Sequence, residues 1–202
     1  MTRTLLLILV LSVSLPAAEP PEVRALADKV VRAAGGESKL LRLFRMKEKF
    51  HFGTAEEPPA GKNRSLRDSV LEPPRYWWLG SKERETIWGY DVWGWSLRPL
   101  VDPASQLSLL PAISENGRPA LGIRVEKTVA PALDLYFDQE SLRLVRLDWK
   151  NDTHRFSQWT EYAGFKYPSH CVSYRRKTGE PYFFHDIVSL EVLAELPPGL
   201  KR

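Results

Sequence analysis

From Val23 onward the apolar residues fall on one side of a helix. Val23, Leu26, Ala27, Val30, Val31 and Ala34 recur at i, i+3, i+4, i+7, i+8 and i+11, with Arg24, Asp28, Lys29 and Arg32 between them. That spacing predicts an amphipathic helix, closed by Gly35-Gly36. A shorter helical stretch is expected over residues 37–43. The period then changes from helical to alternating. In "FRMKEKFHF", Phe44, Met46, Phe50 and Phe52 alternate with Arg45, Lys47, Lys49 and His51, which predicts a half-buried strand. "NRSLRDSVLE" alternates again, "EPPR" breaks the run, and "YWWLG" reads as a third strand.

"ETIWGYDVWGWSL", residues 85–97, packs three of the seven Trp into one short stretch. It reads as a hairpin turning at residues 89–91, with Ile87, Trp93 and Trp95 on one face and Trp88, Val92 and Gly94 on the other. Both faces are apolar, so each needs a cover. Gly94 beside Trp88 suggests a ring packed over bare backbone. Plain core, a cavity wall and a partner patch all fit. Further on, Asp102 followed by Pro103 predicts a capped helix over residues 103–110. The rest is strand upon strand: "LGIRVEKT", "LDLYF", "LRLVRLDW", "THRFSQWTEY", "YPSHCVSYRR" and "PYFFHDIVSLEVL", jointed at "DQES", "ND", "AGFK" and "KTGE". The fold class is mostly β with a few helices (α+β). One antiparallel sheet of about eleven strands in meander order must curl or close.

Composition adds the compartment. "MTRTLLLILVLSVSLPAAEP" has the basic start, apolar run and small-residue exit of a secretory signal peptide, with cleavage expected after Ala18. Residues 1–18 are therefore the signal and residues 19–202 a single domain, exported to the periplasm or cell envelope. No Cys lies near the cleavage site to carry a lipid anchor. The lone Cys171 cannot form an internal disulfide and reads as a buried thiol. A net charge of +4, spread along the chain, argues against a nucleic-acid partner.

Chemistry is sought and not found. His51, His154, His170 and His185 show no metal-ligand spacing. On alternating strands Asp152 and His154 share a face while His185 and Asp186 point apart. There is no nucleophile elbow and no phosphate loop. Asp134 and Asp138 read as solubilising charges at a strand terminus, and "YRRK" (174–177) as a solvated edge. No metal, no cofactor and no enzymatic activity are expected.

Two motifs carry a family resemblance. "LDLYFDQESLRLVRLDW", then "EYAGFKYPSHCVSYRRKTGE" with its Gly164-Phe165-Lys166-Tyr167-Pro168 step, together with the early "AAGGESKLLRLFR", resembles the outer-membrane lipoprotein-sorting (LolA-like) superfamily. The likeness spans most of residues 22–195. It implies a strongly curved eleven-stranded sheet, an incomplete barrel with helices on its concave side and acyl chains bound between. The inward Arg that latches the lid helix in carrier-type members matches no single position; Arg45 and Arg64 are candidates. The resulting expectation is an exported, non-catalytic binding protein for an acyl chain, lipid or lipoprotein-like apolar ligand. Trp78, Trp88, Trp93, Trp95, Phe137, Trp149 and Trp159 are the cavity-wall candidates. An envelope protein or membrane surface is the second class of partner. The competing expectation is an envelope interaction module of the same fold with a filled core, and cavity volume discriminates the two.

Overall fold

The computed structural model describes residues 20–80 and 86–202, with the side chains of residues 86–88 left aside; the expected signal peptide lies outside the described residues. Helix α1 (Pro21–Ala33) opens on a Pro-Pro pair, where the missing N–H costs nothing, and buries Val23, Ala27, Val30 and Val31. The helical stretch expected over residues 37–43 shrinks to one tight turn, Glu37–Lys39. Leu40 and Leu41 instead drop into the core and lead the chain into its first strand.

Eleven strands follow: β1 (Phe44–Phe52), β2 (Ser65–Glu72), β3 (Arg75–Leu79), β4 (Thr86–Trp88), β5 (Gln106–Glu115), β6 (Arg118–Glu126), β7 (Leu133–Asp138), β8 (Leu144–Trp149), β9 (Asp152–Tyr162), β10 (Phe165–Arg175) and β11 (Pro181–Val192). They form one antiparallel sheet in the order β4-β3-β2-β1-β11-β10-β9-β8-β7-β6-β5. The first and last strands pair at its middle, Phe44 opposite Val192. The sheet does not close into a barrel, so β4 and β5 are its two free edges.

Two expected elements are corrected. The hairpin over residues 85–97 does not form. Strand β4 pairs with β3, and residues Tyr90–Trp95 wind into a short helix, α2. The chain here leaves one edge of the sheet and must reach the other across the covered face, where a helix satisfies its own backbone groups. Gly94 makes that close crossing fit: a Cβ there would stand 2.7 Å from methyls of both Leu133 and Leu147. So Gly94 meets leucines of β7 and β8; the expected contact with the Trp88 ring lies outside the described residues. The helix expected over residues 103–110 is likewise replaced by β5. Asp102 does cap, accepting a hydrogen bond from Ala104 N–H at 2.9 Å, but it caps a turn. Pro111 is tolerated because β5 is an edge strand and its ladder shifts register between Leu110 and Ile113.

Both helices share one core with Ile123, Leu133, Leu135, Phe137 and Leu147 on the inner face of the sheet. A smaller cluster of Leu43, Val70 and Trp77 sits on the outer face under Leu193, Leu196 and Leu200 of the C-terminal tail. Elsewhere the outer face carries cross-strand ion pairs, and here the solubility reading of two acids fails. Asp134 and Asp138 are buried, gripped by Arg124 and Arg118 through paired hydrogen bonds of 2.7–3.2 Å. The Arg118 guanidinium, with Ser141, holds the Asp138 carboxyl well below the usual range.

The end of α1 docks on the β9–β10 turn. Lys166 N–H donates to Ala34 O at 2.9 Å, and a Cβ on Gly35 would stand 2.0 Å from Gly164 O. Gly36 also has a positive φ, yet a Cβ there would meet nothing within 4 Å. Gly35→Ala is therefore expected to lower stability by about 2–4 kcal/mol, against about 1 kcal/mol for Gly36→Ala, as backbone strain acts alone at the latter. Urea denaturation midpoints compare the two, and equal losses would refute the docking contact.

Candidate functional site

Each inner-face strand contributes side chains by simple alternation, but the inner face is not uniform. Over β5–β8 it is filled by the helices. Over β1–β3 and the adjoining ends of β8–β11 it is not, and a cavity of about 340 Å³ remains. Its walls come from Met46, Phe52, Trp78, Val92, Trp149 and Phe183. At the mouth Phe52 is 68% exposed and Trp78 37%. The rings of Phe50, Phe52 and Phe183 stack around that rim at centroid distances of 4.9–5.9 Å.

The floor is ionisable. Glu48, fully buried, is ion-paired to Arg67 and accepts a long bond from the Tyr76 hydroxyl at 3.4 Å, which in turn accepts from Ser69 at 2.9 Å. The Arg67 guanidinium lies 4.8–6.0 Å from the ring centroids of Phe50, Tyr76, Trp78 and Phe183, a desolvated cation held by π-faces. Burial pushes the Glu48 carboxyl above the ordinary carboxylate range despite Arg67. His185 lies opposite, its Nδ1 3.7 Å from Glu48 and without a hydrogen-bond partner. Burial, with the Arg67 charge second, pulls its pKa down to about 3, so the ring is neutral. His154 Nδ1 and Ser173 Oγ share a hydrogen bond of 2.9 Å on the same wall. Burial also raises the Cys171 thiol far above its usual pKa, which leaves it unreactive. Among the described residues no group of His, Cys, Asp and Glu is placed to hold a metal ion.

The expected wall residues divide by position. Trp78 and Trp149 line the cavity. Trp95 borders a small extension of about 30 Å³ beside Cys171, its indole N–H bonded to Pro168 O at 3.2 Å. Trp93 and Phe137 lie in the core, and Trp159 borders a separate groove near Leu142 and Arg143. The Trp88 side chain falls outside the described residues. Arg45 and Arg64 pair with Asp68 and Asp186; the arginine that faces inward is Arg67. Sequence reading passed over Glu48 and Arg67. The available signal was Glu48 itself, a lone charge on the apolar face of β1.

The neutral state of His185 sets a pH dependence. The unfolded chain takes up this proton near pH 6.5 and the folded chain only near pH 3, so falling pH favours unfolding across that window. Glu48 is shifted the opposite way and contributes with the opposite sign. Between pH 6.5 and 5 the wild type is expected to lose about 1–2 kcal/mol more stability than His185→Gln. Denaturant titrations at the two pH values measure this, and parallel losses would show that His185 is charged in the fold.

No family model matches the sequence, and no curated protein does. Solved structures do. An outer membrane lipoprotein-sorting protein domain from Vibrio parahaemolyticus is 10% identical, with 88% of this chain and 94% of that one covered and a TM-score of 0.55. A LolA superfamily protein from Nitrosomonas europaea is 9% identical over 85% and 94%, at 0.51. A DUF1329 family protein from Desulfovibrio piger is 11% identical over 89% and 96%, at 0.52. At such identities the likeness is one of architecture, and the chain has the fold of the LolA-like, lipoprotein-sorting structures.

Proposed function

We propose that the protein is an exported, non-catalytic binding protein that holds an acyl chain, lipid or similar apolar ligand inside its open sheet. One observation carries this reading: the inner face is left unfilled over a volume of about 340 Å³, walled by aromatic rings and open at an exposed aromatic rim. Small-ligand sites span about 300–1,000 Å³, so the space suits part of an acyl chain. Each buried methylene contributes about 0.8 kcal/mol, which gives useful affinity without a catalytic group. The filled-core interaction module, by contrast, predicts no such space. Trp78 and Trp149 are the wall residues this assignment uses. The lipoprotein-sorting description of a structural neighbour supports an apolar cargo, delivered from or to an envelope protein or membrane surface.

Native mass spectrometry of the mature protein, with organic extraction of whatever dissociates, tests the reading. A stoichiometric acyl ligand is expected, or uptake of a fluorescent fatty-acid probe by protein that emerges empty. Val92→Trp, which fills the cavity from α2, should weaken probe binding by about tenfold or more. A clean mass with no probe uptake would sink the proposal and leave the interaction module.

A further inference from the structure

The polar groups of the cavity do not balance, and the imbalance has a sign. Glu48 and Arg67 answer each other, His154 is bonded to Ser173, and Asp152 is paired with Arg175 at 3.2 Å. Two accessible groups are left over. Asp91, half-buried on α2, makes no hydrogen bond or ion pair among the described residues. It lines the cavity from the helix, and Glu48, Tyr182 and His185 line the same cavity from the strands. His185 is neutral. A neutral imidazole offers one acceptor nitrogen, and neither ring nitrogen of His185 has a hydrogen-bond partner among the described residues, Nδ1 standing 3.7 Å from Glu48. A carboxylate accepts only, so both groups call for donors. With Arg67 answering Glu48 and Arg175 answering Asp152, Asp91 is the carboxylate of the cavity lining left without a counter-ion among the described residues, in a chain of net charge +4.

We infer that the ligand's head is a charged hydrogen-bond donor, a primary ammonium on an apolar tail, seated between Asp91 and His185 with the tail among the aromatic rings. This rests on the binding function proposed above. An anionic head would sit against Asp91, where like charges in a partly desolvated space repel. A quaternary ammonium has no N–H to donate, so it leaves the acceptors of Asp91 and His185 unanswered. Arg67 Nε also lacks an acceptor, but it is shut off from the cavity among the four rings.

The test uses four probes of one tail length on the wild-type protein at neutral pH: dodecylamine, dodecyltrimethylammonium, dodecanoate and dodecanol, each below its micellar concentration. Calorimetry or the quenching of tryptophan fluorescence reads the affinity. Dodecylamine should bind about tenfold or more tighter than dodecanoate and dodecyltrimethylammonium. Asp91→Asn should bring the amine-to-alcohol affinity ratio close to one, with circular dichroism showing that the variant is folded. If all four probes bind within a few-fold of one another, the tail site stands and the head-group assignment is overturned. Tightest binding by dodecanoate also overturns it and moves the head to Arg67. If none binds, the binding function itself fails.

Discussion

The sheet has two free edges, and the chain has to pass from one to the other. Strand β4 ends the first four-stranded meander and β5 begins the remaining seven, and they lie at opposite ends of the sheet. Everything on the inner face follows from that crossing. The link must be covered, must satisfy its own backbone, and must lie close enough to the strands to leave no void. Helix α2 with Gly94 at the leucines of β7 and β8 meets all three demands. Because the link is short and helical it fills only the half of the interior it passes over. The cavity is what it does not reach.

The two faces of the sheet solve the burial problem differently. The inner face is covered by helices, while much of the outer face carries no packed layer among the described residues. There, arginines lie along acidic partners in neighbouring strands: Arg118 with Asp138, Arg124 with Asp134, Arg45 with Asp68. Their aliphatic stems shield the strands while the guanidinium groups stay hydrated. With the arginine of each pair open to water, such pairs stabilise modestly one by one. Their geometry is paired and repeated, though, and each ties two strands in register. The inner pair of Glu48 and Arg67 differs, since both charges have left water and neither can lose its partner cheaply.

Most of the sheet was legible in the sequence because alternation is a strong signal wherever one face is wet. The six C-terminal strands and β1 to β3 follow it closely. The two corrected elements have different causes. Apart from Asp91, residues 90–95 carry no charge to mark a wet face, so no period distinguishes a strand from a helix, and the need to cross the interior decides. Asp102-Pro103 is a helix-start signal that a turn uses equally well. The resemblance motifs proved structural in a way their spelling hides. The Gly-Gly after α1 and the Ala-Gly-Phe-Lys turn touch one another, so two separated signatures are two halves of one contact. The site was far less legible. Tryptophan clustering pointed to bulk, whereas the cavity is marked by charges among apolar neighbours, and which tryptophans meet it depends on distances no local pattern contains.

The pairing of β1 with β11 at the centre of the sheet has a consequence for assembly. The two halves of the sheet are joined only through strands at opposite ends of the chain, so the seam waits until the whole polypeptide is present. Such long-range closure is slow compared with local hairpin formation. The cavity floor lies on that seam, with Glu48 on one strand and His185 on the other. A chain truncated before residue 181 would keep the local turns before it, yet it would have neither the central strand nor the His185 side of the cavity floor. The cavity is thus a product of the seam and appears only when residues 181–192 have been made and paired.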